Sequence, residues 1–162
     1  MKKSFILAAL MVVFGATMAY AQPRAIGGNI GGGIGLSYQH GFGASNMLDV
    51  AIDVPQFWNG AGIGGTVTYD WIDPFGTSVP WNEKGEWHWY MGVGGAAGMY
   101  GFKAPVGYVG VAGHIGIEYD FWFPLQLSLD WRPNIGFVLG KDFHDFNRSG
   151  FYGISLGVRY KF

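Results

Sequence analysis

Three groups of residues have types and spacings that chemistry uses. Asp70 and His88 flank one hairpin as candidate cross-strand neighbours, and with an inward serine such as Ser128 they supply the ingredients of a hydrolase. His114 and Glu118 stand four apart, which on a strand does not make a metal site. Gly92-Val-Gly-Gly-Ala-Ala97 fits the dinucleotide pattern G-x-G-x-x-G/A, which works only where it opens a helix whose N-terminus holds the pyrophosphate. In each case the element that carries the residues decides the chemistry.

Those elements read as strands. Counting back from the terminus, Phe162, Tyr160, Val158, Leu156, Ile154 and Tyr152 are large and apolar or aromatic, while Lys161, Arg159, Gly157, Ser155 and Gly153 between them are charged, polar or tiny. Alternate residues of a strand point to opposite faces, so one face is lipophilic and the other polar or empty. The same period of two sets Leu48, Val50, Ile52 and Val54 against Asp49, Ala51 and Asp53, and Val67, Tyr69 and Trp71 against Thr66, Thr68 and Asp70. It continues with Trp87, Trp89, Met91 and Val93 against His88, Tyr90, Gly92 and Gly94. Val109, Val111, Ile115, Ile117 and Tyr119 alternate with Gly110, Ala112, His114 and Glu118; Leu125, Leu127, Leu129 and Trp131 alternate with Gln126, Ser128, Asp130 and Arg132. Gly, Pro, Asn and Ser cluster in the breaks, notably residues 41–46, 59–62, 73–86, 101–107 and 140–150, so the chain reads as antiparallel hairpins in sequence order. The glycine motif falls inside such a strand, where its glycines line an interior rather than hold a nucleotide.

The N-terminus is of another kind. Lys2 and Lys3 precede an apolar run from Phe5 to Phe14 and small residues ending Ala19-Tyr20-Ala21, the order of a secretory signal peptide. The run is shorter than the roughly 20 residues of a spanning helix, so cleavage before Gln22 is expected. This gives a signal peptide over residues 1–21 and a single barrel domain over 22–162. There is no cysteine, hence no disulfide and no lipidation on cysteine. After loss of Lys2 and Lys3, 8 of the 10 basic residues remain against 11 acidic ones, which speaks against a nucleic-acid partner.

Charged residues make up only 13% of the chain and aromatic residues 18%, with 29 glycines, and mean hydropathy is +0.18. A soluble lipocalin-like barrel would pack its apolar face inside, whereas a membrane barrel turns that face to lipid and fills its interior with small and polar groups. Eight strands enclose a lumen barely wide enough for side chains. The face of Gly92, Gly94, Ala96 and Gly98 suits such a lumen, and the opposite Trp, Met and Val face is too bulky for it. Trp71, Trp87, Trp89 and Phe121-Trp122-Phe123 lie at strand ends, where rings settle at a lipid boundary. The expected fold is therefore an all-β, antiparallel up-and-down transmembrane barrel of eight strands. Seven strands are plain. The eighth comes either from separating Ala25 to Gly33 from Ile34 to His40, or from a turn at Arg132-Pro133-Asn134 that frees Ile135 to Leu139.

The terminal Gly153-Ile-Ser-Leu-Gly-Val-Arg-Tyr-Lys-Phe162 resembles the β-signal read by the barrel-assembly machinery. Gly116-Ile-Glu-Tyr-Asp-Phe121, Pro124-Leu-Gln-Leu-Ser-Leu-Asp-Trp-Arg-Pro133 and Gly35-Leu-Ser-Tyr-Gln-His40 resemble small outer-membrane β-barrel proteins of the Bacteroidetes type. The resemblance implies an outer-membrane location, outer-membrane lipid as surroundings and the assembly machinery as a partner during insertion, with Tyr152, Ile154, Leu156, Val158, Tyr160 and Phe162 as the signal. It is silent on activity.

Asp70, His88, His114, Glu118, Asp130, Arg132, Arg159 and Lys161 face inward on this reading and are expected to form a structural network, because unpaired buried charge is costly. No catalytic, cofactor or metal site is expected. A structural or interaction protein without a large pore is the first reading, and an enzyme acting on lipid A or phospholipid is the second. The connections 73–86, with Trp81, and 141–149, with Phe143, His144, Phe146 and Arg148, are the candidate surfaces for an unknown protein or ligand.

Overall fold

The computed structural model describes residues 22–31, 33–55, 62–73, 84–100, 106–139, 146–147 and 153–162. The signal segment, Tyr152, and most of the 73–86 and 141–149 connections, with Trp81, Phe143, His144 and Arg148, lie outside the described residues.

The strands are β1 (Gln22–Gly31), β2 (Gly33–Gly41), β3 (Asn46–Pro55), β4 (Gly62–Ile72), β5 (Gly85–Tyr100), β6 (Val106–Phe121), β7 (Leu125–Trp131), β8 (Asn134–Leu139), β9 (Phe146–Asn147) and β10 (Ile154–Lys161). β1 to β7 pair with their sequence neighbours, β7 pairs with β10, and β10 pairs back to β1, so the sheet closes with every pairing antiparallel. Eight positions fill the wall, and the short β9 adds a two-residue pairing to β8.

Of the two sources for the eighth strand, the separation of the glycine-rich N-terminal stretch is the one found. β1 and β2 are distinct strands, paired from Ile30↔Ile34 down to Gln22↔Gly41. The expected turn at Arg132-Pro133 is absent. β7 and β8 run along one line, facing Ile115–Asp120 and Gly107–Ala112 of β6. Pro133 has no N–H to give a ladder, which interrupts the strand without turning it. Its carbonyl accepts from Gly113 N at 2.8 Å, and Arg132 N donates to Gly153 O at 3.0 Å.

Following paired residues once round the wall leads from Leu127 through Val158, Gly28, Leu36, Ile52, Gly65, Ala97 and Val109 to Phe137, ten positions further along the same line. With about 3.3 Å per residue and 4.8 Å between strands, that stagger tilts the strands by about 40° and sets a backbone radius of about 8 Å. The faces alternate as the sequence requires. Leu36, Val111 and Leu156 are 70%, 66% and 62% exposed, while Asp70, Glu118 and Arg159 are 0%, 0% and 1% exposed. The barrel is inside-out relative to a soluble protein.

The start of β1 and the end of β10 sit at one end, with Lys161 opposite Ala25. Turns 42–45 and 122–124 are at that end, and so are the strand ends Ile72 and Gly85 that residues 73–84 join. Aromatic rings gather there: Phe42 against Tyr69, Tyr69 against Trp71, Trp87 against Tyr119, Phe121 against Phe123, and Tyr160 against Phe162, with centroids 4.9 to 6.2 Å apart.

Candidate functional site: the polar lumen

A narrow lumen has room for long side chains only if their neighbours are small, and the register shows how this is arranged. In three rows of paired residues a glycine separates two polar groups that bond across it. Asp70, Gly92 and His114 are one such row, Tyr90, Gly116 and Asp130 a second, and Asn29, Gly35 and Asp53 a third. Asp70 Oδ2 meets His114 Nδ1 at 2.9 Å, Tyr90 Oη donates to Asp130, and Asn29 Nδ2 donates to Asp53 Oδ1 at 2.7 Å. A Cβ on the central glycine would strike these partners: Asp70 Oδ1 from position 92, the Tyr90 ring from 116, and Asp53 Oδ1 from 35. The glycines make the network possible.

Two arginines tie the rows together. Arg159 donates from Nε to Ser37 Oγ at 2.8 Å, from Nη1 to Ser128 Oγ at 2.6 Å and Gln126 Oε1 at 3.2 Å, and from Nη2 to Asp130 Oδ2 at 3.3 Å. Arg132, at the strand interruption, donates from Nη2 to Asp49 Oδ1 at 3.1 Å and from Nε to His114 Nε2 at 3.2 Å. His114 Nδ1 also lies 3.2 Å from Thr68 Oγ1, so contacts at both ring nitrogens fix the ring. Nearer the end where β1 starts and β10 finishes, Arg24 pairs with Glu118 and also donates to Gln39 Oε1 at 3.1 Å. Lys161 Nζ lies 2.8 Å from Asp120 Oδ2 at the rim.

The inward residues named from sequence are thus largely brought together: Asp70, His114, Asp130, Arg132 and Arg159 form one cluster, with Glu118 beside it on Arg24. His88 is the exception. It pairs in register with Glu118, four positions from the Gly92 that faces Asp70, and its Nδ1 contacts Asp73 Oδ2 at 2.6 Å while Nε2 lies 3.4 Å from Glu86. The cross-strand neighbourhood expected for Asp70 and His88 is therefore corrected to Asp70 and His114.

Of the hydrolase ingredients, Ser128 shares a row with His88 across Glu118, while Asp70 lies in a different row. Ser128 Oγ donates to Asp130 at 2.9 Å and accepts from Arg159, while His114 Nε2 meets Arg132 and Asp130. Among the described residues no group of three His, Cys, Asp or Glu side chains is arranged to hold a metal ion. The motif at 92–97 lies wholly within β5. Arg24, Asp49, Asn29, Ser37 and Tyr90 are members that sequence reasoning did not select, although Asp49 and Tyr90 carried the right parity.

Compared with protein-family models, curated proteins and solved structures, the chain finds no match.

Proposed function

We propose that the protein is an integral outer-membrane β-barrel with a structural or interaction role, of the small type its terminal strand resembles, exported by its signal peptide and inserted by the barrel-assembly machinery. The supporting observation is the closed wall whose outward side chains are largely apolar and exposed while most of its buried ones are polar or charged. Eleven residues of tilted strand, such as Val109 to Tyr119, make a belt about 25 Å tall, the thickness of the apolar band of membrane barrels. With side chains carrying the surface about 5 Å beyond the backbone, half the packing distance between sheets, the belt covers on the order of 2,000 Å², several times the largest apolar patch of an ordinary soluble monomer. Transfer of that area from water to lipid is worth about 50 kcal/mol at 25 cal/mol per Å². Aromatic rings at the end where β1 starts and β10 finishes suit the lipid boundary. Closure leaves no open edge for lipid to meet.

Arginines tied to carboxylates across an eight-stranded lumen support a role without a large pore, and the engagement of Ser128 and His114 with arginines supports a non-enzymatic one. The test is gel migration of the detergent-extracted mature protein with and without boiling, together with its membrane fraction. An outer-membrane protein whose unboiled form migrates differently is expected. A periplasmic protein with no heat-dependent shift would overturn the reading.

A further inference from the structure

On the outer face a groove of about 560 Å³ crosses β3, β4, β5, β6 and β8, with Gly65, Ala97 and Gly107 as its floor and Ile63 and Met99 along one side. Ile52 and Leu139 stand at its two ends. We propose that it holds one acyl chain of a membrane lipid, from the leaflet on the side away from the start of β1. This rests on the membrane reading above and adds to it a fixed lipid among the mobile ones.

The groove is a gap in the apolar belt itself. Gly65, Ala97 and Gly107 have the outward parity of the exposed Val67, Val93 and Val109, so they thin the belt where their neighbours thicken it. No charged side chain lines it. An occupant is therefore apolar along the whole groove.

Its course selects the kind of occupant. Paired residues lead from Ile52 through Gly65 and Ala97 to Val109, and three strand spacings at a tilt of about 40° climb about 9 Å. Ile52 thus lies near the middle of the belt, which is about 25 Å tall with Val109 at its upper edge. Leu139 lies one strand and two residues further on, about 8 Å above Val109 and at the level of lipid headgroups. The groove therefore runs from mid-bilayer to the headgroups of one leaflet, as an acyl chain does. A spanning helix of a partner needs about 30 Å and would have to continue below Ile52, where the outward positions are Leu36 and Val50. A second barrel is excluded by area. A groove about 20 Å long and two strand spacings wide offers on the order of 200 Å², against about 800 Å² per partner in a stable interface.

The experiment folds the full mature chain into phosphatidylcholine vesicles, floats them on a density gradient, extracts the barrel in mild detergent and reads bound phospholipid by intact mass spectrometry of the folded protein. Retention of one phospholipid per barrel is expected, with occupancy about tenfold lower in Gly65→Leu and Ala97→Leu, which fill the groove. A Cβ at Gly65 would meet nothing closer than Ala51 O at 3.5 Å, so the leucine projects outward without disturbing the wall. If that variant loses the heat-dependent gel shift, Ala97→Leu, at a position that already bears a Cβ, carries the test. Gly28→Leu, on the outer face outside the groove, should retain the lipid. A barrel that floats and shifts but retains no phospholipid, retains it equally in the filled variants, loses it equally in Gly28→Leu, or retains a second barrel instead would overturn the proposal alone. Failure to float with the vesicles would overturn the membrane reading, and the proposal with it.

Discussion

Replacing Gly116 with alanine places a methyl group where the Tyr90 ring now lies, because Gly116 is the middle residue of the row Tyr90, Gly116, Asp130. Tyr90 is fully buried beside His114, with ring centroids 4.9 Å apart, so it has no open side to move into. Shifting it breaks the hydroxyl's bond to Asp130, a hydrogen bond to a charged group worth about 1.5–3 kcal/mol. Overpacking adds about 1–3 kcal/mol. The lower entropy of an alanine-containing unfolded chain returns about 0.4–1 kcal/mol. The net expectation is a loss of about 3 kcal/mol, roughly a hundredfold in the folding equilibrium. Urea titration in detergent micelles, with the folded fraction read from the heat-dependent gel shift, measures it. The matched control is Gly95→Ala on the outer face, where a Cβ would meet nothing nearer than Gly110 O at 3.8 Å and the change should stay within about 1 kcal/mol. In a Tyr90→Leu background, Gly116→Ala should lose most of its cost, since the colliding ring is gone. Equal effects at Gly116 and Gly95 would refute the bridging role of the lumen glycines.

Arg159→Met leaves Asp130 and Asp49 without one of their cations and should cost about 3–5 kcal/mol in the same titration, because removing one partner strands a buried charge. His88→Ala removes a partly exposed rim pair with Asp73, so stability should change by less than about 1 kcal/mol. The lipid A mass profile of cells overproducing this variant should match that of cells overproducing the parent protein; a mass shift dependent on His88 would revive the enzymatic alternative. Phe162→Ala alters a side chain that is 70% exposed, so it should lower the yield of assembled barrel in the outer membrane while the urea midpoint of the assembled fraction stays put.

Period-two alternation made the two faces of the barrel legible, because a strand's side chains cannot choose their side independently. Register was not legible, and it decides partnership. Asp70 and His88 flank the same connection in sequence, yet the pairing of β4 with β5 sets Asp70 against Gly92 and carries its reach to His114 on β6. Arg24 precedes the glycine-rich stretch whose alternation is weak, so nothing local marks it as inward; its partner Glu118 is 94 residues away. Pro133 signalled a break correctly, but a proline ends a ladder bond without saying whether the chain turns. The continued pairing of β8 along β6 answers that. The glycines were read as lumen filler from composition, whereas their role as bridges emerges only when the residues on both neighbouring strands are known.

The most direct test of the central claim, that the apolar face meets lipid, uses the absence of native cysteine. Single variants Leu36→Cys, Val111→Cys and Leu156→Cys on the outer face, and Asp73→Cys at the rim, would be spin-labelled in lipid vesicles and compared for relaxation by oxygen and by a water-soluble nickel chelate. The outer positions should be relaxed by oxygen and shielded from the chelate, with Asp73→Cys showing the opposite. Chelate access at Leu36, Val111 and Leu156 equal to that at the rim would mean that the exposed apolar belt faces water, and would contradict the membrane reading.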